Sequence, residues 1–122
     1  MDYLAPMELQ LKIKQPITIC VRRRAAVGDV IMTTGVVREL KRIYRETAKI
    51  VVATDCSTVY RNNPHISGVI PTDSDIIQKF DVVYNLDDAY EYNTGSNFID
   101  CYFHRVFGHT DFDRSTELFP TD

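Results

Sequence analysis

The side chains best suited to chemistry lie in one short stretch, VRRRAAVGDVIMTTG, where Arg22, Arg23 and Arg24 precede Gly28 and Asp29. Clustered guanidinium groups hold anions, because each offers a planar fork of donors to carboxylate or phosphate oxygens. An aspartate beside them in a cleft can accept a proton or orient a hydroxyl, which makes Asp29 a workable general base. It is also a good N-cap type, a role worth about 1 kcal/mol. The two roles are compatible, and both stay open for Asp29, just as an anion site and a solvated loop stay open for the arginines. The stretch argues against nucleotide loops. It lacks GxxxxGK[ST], and its glycine spacing cannot satisfy GxGxxG. A carboxylate there would also repel a diphosphate at a helix N-terminus.

Other candidates are weaker. His65, in NNPHI, reads as a turn residue. His104 falls in a helix that looks buried, where packing or pairing is expected, and His109 follows a glycine that ends that helix. Asp87, Asp88 and Glu91 form an acidic cluster that suits a solvated loop better than a metal site. Tyr90 and Tyr92 could stack on a sugar face or close a core edge. Cys20, Cys56 and Cys101 show no CxxC or Cys/His ligand spacing, so they read as reduced, buried thiols in a cytosolic protein.

The elements that position these residues alternate between strand and helix. Residues 1–15 read as an arm, in which LQLKIK places Leu9, Leu11 and Ile13 on one face of an edge strand. Pro16 ends that pattern, and ITICVRR is apolar and β-rich, as a central strand is. A helix is expected from Asp29 to about Arg45. Its apolar stripe is Val36, Val37, Leu40, Ile43 and Tyr44, and Arg38, Glu39, Lys41, Arg42 and Arg45 fall on the other face. Residues 49–54 give a second strand, CSTVYRNNP a short helix stopped near Asn62–Pro64, 68–70 a third strand and 80–87 a fourth. Residues 97–107 give a helix with two apolar stripes, stopped by Gly108. A strand–helix–strand unit of this kind is parallel with a right-handed crossover. The pattern predicts an α/β fold, a mostly parallel open sheet covered on both faces, with ligands at the carboxyl ends of its strands. Residues 22–29 and 85–93 both fall at those ends.

The chain of 122 residues suits one domain. It contains no apolar run long enough to span a membrane and no secretory signal pattern. Its net charge of −3 hides an asymmetry. Residues 1–50 carry ten Lys/Arg against five Asp/Glu, whereas residues 51–122 carry four against twelve. The basic half could meet an anionic substrate, and the acidic half argues against nucleic-acid binding.

The run ICVRRRAAVGDVIMTTGVVRELKRIY, followed in order by KIVVAT, RNNPHISGVIP, FDVVYNLD, YEYN and a helix ending in FG, resembles the N-terminal half of the family 9 glycosyltransferases. These are the heptosyltransferase-like enzymes of lipopolysaccharide assembly, and the likeness covers about residues 17–108. It implies a single Rossmann-like domain over residues 16–122, the acceptor-binding half of a GT-B enzyme. The family's Gly-Asp aspartate is thought to be the base that activates the acceptor hydroxyl for inverting transfer, which maps onto Asp29 next to Gly28. Basic residues of its first loop help hold an anionic saccharide acceptor, which maps collectively onto Arg22, Arg23 and Arg24. The family resembles metal-independent transferases, so neither metal nor other cofactor is expected. A nucleotide sugar would serve as donor only with a second domain supplied in trans. Gly35 departs from the family's usual proline, Asn97 stands near a common histidine, and the chain stops where the second half should begin. The resemblance therefore implies a separately encoded or cut-off first domain, or one part of a split enzyme, in the cytoplasm. The alternative is a catalytically inactive binding or structural module, for example in a phage-type assembly, with a partner protein or a second copy added at the LQLKIK edge.

Overall fold

The computed structural model describes residues 16–87 and 98–119. The arm, Tyr90, Tyr92, Asp88, Glu91 and Asn97 lie outside the described residues. Four strands, β1 (Ile17–Arg22), β2 (Ala48–Ala53), β3 (Gly68–Ile70) and β4 (Val82–Asn85), form one parallel sheet in the order β3-β2-β1-β4. The chain moves outward from β1 through β2 to β3, then returns to the other side of β1 for β4. The strand order thus reverses between β1 and β4, where open parallel sheets leave a crevice at their carboxyl ends.

The helix expected from Asp29 starts earlier and is interrupted. α1 is Val27–Met32 and α2 is Thr34–Tyr44, with Ala26 at the N-cap position and Thr33 at the junction. Asp29 is therefore the third residue of α1 and not its cap; a carboxylate in the first turn still meets the positive end of the helix dipole. The break has a local cause. The hydroxyls of Thr33 and Thr34 donate to the carbonyls of Val30 and Ile31 at 2.6 and 2.7 Å, back-bonding that disturbs a helical ladder. The buried Tyr60 hydroxyl, 2.6 Å from the Thr33 hydroxyl, fixes the junction. Residues Ser57–Tyr60 form a 3-10 turn where the sequence suggested a short helix.

Helix α3 (Phe98–Phe107) ends at Gly108, whose φ of 82° lets its N–H donate to the His104 carbonyl at 2.9 Å. His104 is exposed, contrary to the buried position expected from its helix. The three helices lie over one sheet face. Ile19, Val21, Ile50 and Val52 from that face join Val36, Val37 and Leu40 of α2 and Tyr102 and Phe103 of α3 in a single core. The opposite face carries Cys20, which is buried, Val51, which is half-buried, and Val83, which is exposed. The 3-10 helix Asp75–Lys79 borders this second face, with Ile76, Lys79 and Phe80 lining a concavity together with Thr18.

The tail after α3 crosses α2. Phe112 packs with Phe103 and Phe107, with ring centroids 5.8 and 4.4 Å away. Arg38 donates to the Ser115 carbonyl at 2.9 Å and pairs with Glu39, Asp113 and Glu117. The two faces expected of α2 are thus both covered in part. Glu39 is buried between Arg38 and Arg42, 2.9 and 2.8 Å away, instead of lying in water.

Candidate ligand site at the carboxyl ends of the strands

The arginine loop is held from both sides by backbone hydrogen bonds. The Leu86 N–H donates to the Arg22 carbonyl at 2.8 Å, the Arg23 N–H to the Ala53 carbonyl at 3.0 Å, and the Asp55 N–H to the Arg24 carbonyl at 3.0 Å. The segment thus continues β1 a little past its last ladder pair and is wedged between the ends of β4 and β2. Strand alternation predicts opposite directions for neighbouring side chains, and the arginines follow it. Arg22 donates to the Thr72 carbonyl at 3.3 Å and Arg24 reaches the Asp73 carboxylate at 2.7 Å, whereas Arg23 turns towards Asp29.

Asp87 organises this loop. Its carboxylate pairs with Arg22 and accepts the Arg24 N–H at 2.7 Å, and its carbonyl accepts from Arg23 at 2.7 Å. The solvated-loop reading of Asp87 is therefore corrected: it binds all three arginines. Asp73 was not singled out in the sequence, because an acid in a PTDSD turn carries no signal until the fold brings it to Arg24. The same holds for Tyr102, which reads only as core.

Asp29 stands in the first turn of α1, beside the arginine loop that continues β1. One carboxylate oxygen lies 3.2 Å from Arg23 Nη2 and the other accepts from the Tyr102 hydroxyl at 3.4 Å. Its side chain keeps one-fifth of its surface in water (20%), while that of Arg23 keeps 7%. The aspartate is thus oriented by two neighbours and still reachable. Gly28 is exposed and nothing lies within 4 Å of the place a Cβ would take, so it leaves the approach to Asp29 open.

Three guanidinium groups face three carboxylates, Asp29, Asp73 and Asp87. The local field is consequently close to balanced, and the loop is not a bare cationic patch. Arg24 is the most open of the three arginines; half its side chain is exposed, and its pair with Asp73 is solvated. Such pairs contribute little to stability and exchange readily for another anion. The described residues include no group of three or more His, Cys, Asp or Glu able to hold a metal ion, and no helix among them is long and apolar enough to cross a membrane.

The remaining sequence candidates fall elsewhere. His65 sits in a turn as expected, with its ring 3.2 Å from Glu117 and edge-on to Phe119. The His109 ring stacks on Phe112 at 4.9 Å. Cys20 and Cys101 are buried thiols as expected, but Cys56 is only partly buried. Burial pushes the Cys20 thiol up to about 11, with Arg22 opposing.

No protein-family model, curated protein or solved structure matches the chain.

Proposed function

We propose that this chain is the acceptor-binding, Rossmann-like half of a glycosyltransferase of the GT-B type, in which Asp29 takes the proton from an attacking hydroxyl of an anionic saccharide. The observation that carries this reading is the Asp29 carboxylate, oriented by Arg23 and Tyr102 and partly open at the carboxyl ends of a parallel sheet. A base for sugar transfer needs a carboxylate that is fixed in direction and reachable by a hydroxyl. Asp29 has both properties. Arg24 supplies the anion contact by exchanging Asp73 for an acceptor phosphate or carboxylate, while Arg22 and Arg23 keep the loop in shape through Asp87. The donor nucleotide sugar belongs to a second domain, and transfer requires that domain to be present.

A second reading has its own support. All three arginines already have carboxylate partners, which is what a binding or assembly module that has lost catalysis would retain. Sugar transfer distinguishes the two. The chain is assayed with nucleotide-sugar donors and phosphorylated saccharide acceptors, with and without host lysate to supply a donor domain, as wild type and Asp29→Asn. The enzyme reading expects turnover that falls by roughly 10²–10⁴-fold in Asp29→Asn, the usual worth of a general base. Absence of turnover under every condition, with stable self-association by light scattering, would establish the assembly reading instead.

A further inference from the structure

The carboxyl ends of β2 and β3 border a second concavity of about 400 Å³, lined by Thr54, Asp55, Ser57, Val69, Ile70 and Pro71. We propose that this groove binds a monosaccharide phosphate carrying a vicinal diol, with the Asp55 carboxylate accepting from two adjacent sugar hydroxyls and Arg24 meeting the phosphate.

Asp55 is fixed at both its backbone and its side chain. Its N–H donates to the Arg24 carbonyl at 3.0 Å, and its Oδ1 accepts from the Thr72 hydroxyl at 2.9 Å. The residue is nonetheless exposed, and among the described residues its Oδ2 receives no hydrogen bond. A carboxylate held in one direction with acceptor capacity to spare suits a pair of neighbouring hydroxyls.

The rest of the groove divides its work in the same way. The Thr54 hydroxyl is committed to shape: it donates to the Arg24 carbonyl at 3.2 Å and accepts from the Cys56 N–H at 3.1 Å. Val69, Ile70 and Pro71 form an apolar wall for the C–H face of a sugar ring. Ser57 is exposed and offers a further hydroxyl. Arg24 reaches the same rim, because its partner Asp73 directly follows Thr72. A phosphate would compete well for that half-exposed guanidinium, since charge-assisted forks to phosphate are among the stronger hydrogen bonds.

The first turn of α1 limits what else can be attached to the sugar. Asp29 stands where the pyrophosphate of a dinucleotide would approach the helix end, and its negative charge repels one. The ligand class is therefore a sugar phosphate and not a dinucleotide.

The groove shares Arg24 with the acceptor contact proposed above but not Asp29, and the two sites are read out at different amides and through different carboxylates. The test is an NMR titration of the ¹⁵N-labelled chain with ribose 5-phosphate, 2-deoxyribose 5-phosphate and inorganic phosphate. Ribose 5-phosphate is expected to shift the amides of residues 54–57, 69, 70 and 72 saturably. Loss of the 2-hydroxyl is expected to weaken that binding at least tenfold, and Asp55→Asn to weaken ribose 5-phosphate by a similar factor while leaving inorganic phosphate unaffected. Unshifted amides in the groove, or equal affinity of the wild-type chain for the two sugars, would overturn the proposal. Shifts at residues 29 and 102 report on the Asp29 crevice and do not bear on the groove.

Discussion

Asp87 and Asp73 each neutralise an arginine of the same loop, but from different surroundings. Asp87 faces Arg22 and the buried Arg23, and its carboxylate also accepts the Arg24 N–H. Removing it leaves a guanidinium in the interior with one partner fewer, and a buried charge deprived of its partner is costly. Asp73 faces a half-exposed Arg24 from a position that is itself 78% exposed. Asp87→Ala is therefore expected to cost about 2 kcal/mol in urea unfolding, because Asp87 is only partly buried, whereas Asp73→Ala should cost less than about 1 kcal/mol. The thiols offer a second check at this scale. Native protein should react at Cys56 within minutes of adding a thiol reagent at neutral pH, while Cys20 and Cys101 react only when denaturant is added, because both are buried. Mass spectrometry of digested, labelled protein reads the three sites separately. The residue types at the site were visible in the sequence, since Arg22, Arg23, Arg24 and Asp29 stand within eight positions of one another. Their partners were not. Asp73 lies 49 positions from Arg24 and Asp87 63 to 65 positions from the three arginines, and spacing along a chain says nothing about such pairs until the sheet order is known.

The elements most exposed to error were those whose environment is set by a distant segment. Each strand was legible because β-branched and apolar runs lie between turn residues, and β3 needed nothing beyond GVI between a serine and a proline. α2 was legible as a helix but not as a helix under a strap, because a charged face is ordinarily a wet one. Gly35 shows what the strap requires. A Cβ there would lie 2.8 Å from the Ser115 carbonyl oxygen and 3.4 Å from the Phe103 ring, so the tail can rest on α2 only where there is no side chain. Gly35→Ala is expected to lift residues 113–117 and to cost about 1–3 kcal/mol, the range for overfilling a packed contact. Faster amide exchange across the tail, with the sheet unchanged, would be the signature. The strap also has an acid limit. Hydrogen bonds from Ser115, with Arg38 adding attraction, hold the Asp113 carboxyl below its ordinary value. A depressed carboxyl stabilises the fold above its unfolded value and loses that contribution as pH falls through the folded one. The tail should therefore loosen below about pH 4, the ordinary range of a carboxyl, and tail amide exchange followed from pH 6 to pH 3 would show it.

At the scale of the whole molecule, the alkaline limb of stability depends on groups the fold keeps neutral. Burial pushes the Cys20 thiol from 9.0 up to about 11, and burial likewise pushes the Tyr60 phenol above its ordinary value, with the Thr33 hydrogen bond a smaller opposing influence. Both groups are raised, so the unfolded chain releases their protons first as pH rises. Their contribution is complete below the unfolded values and is lost as pH climbs through the folded ones. For Cys20 the window runs from 9.0 to about 11. Each unit of displacement is worth about 1.4 kcal/mol, so the thiol alone should remove on the order of 3 kcal/mol across that window. Urea unfolding at pH 8, 9.5 and 10.5 should show stability falling with pH in the wild type and a shallower fall in Cys20→Ala. The comparison between slopes is what matters, because the substitution also opens a small void that lowers stability equally at every pH. Parallel slopes would mean that the thiol ionises as readily in the fold as outside it. That would contradict a central strand whose second face is closed over Cys20.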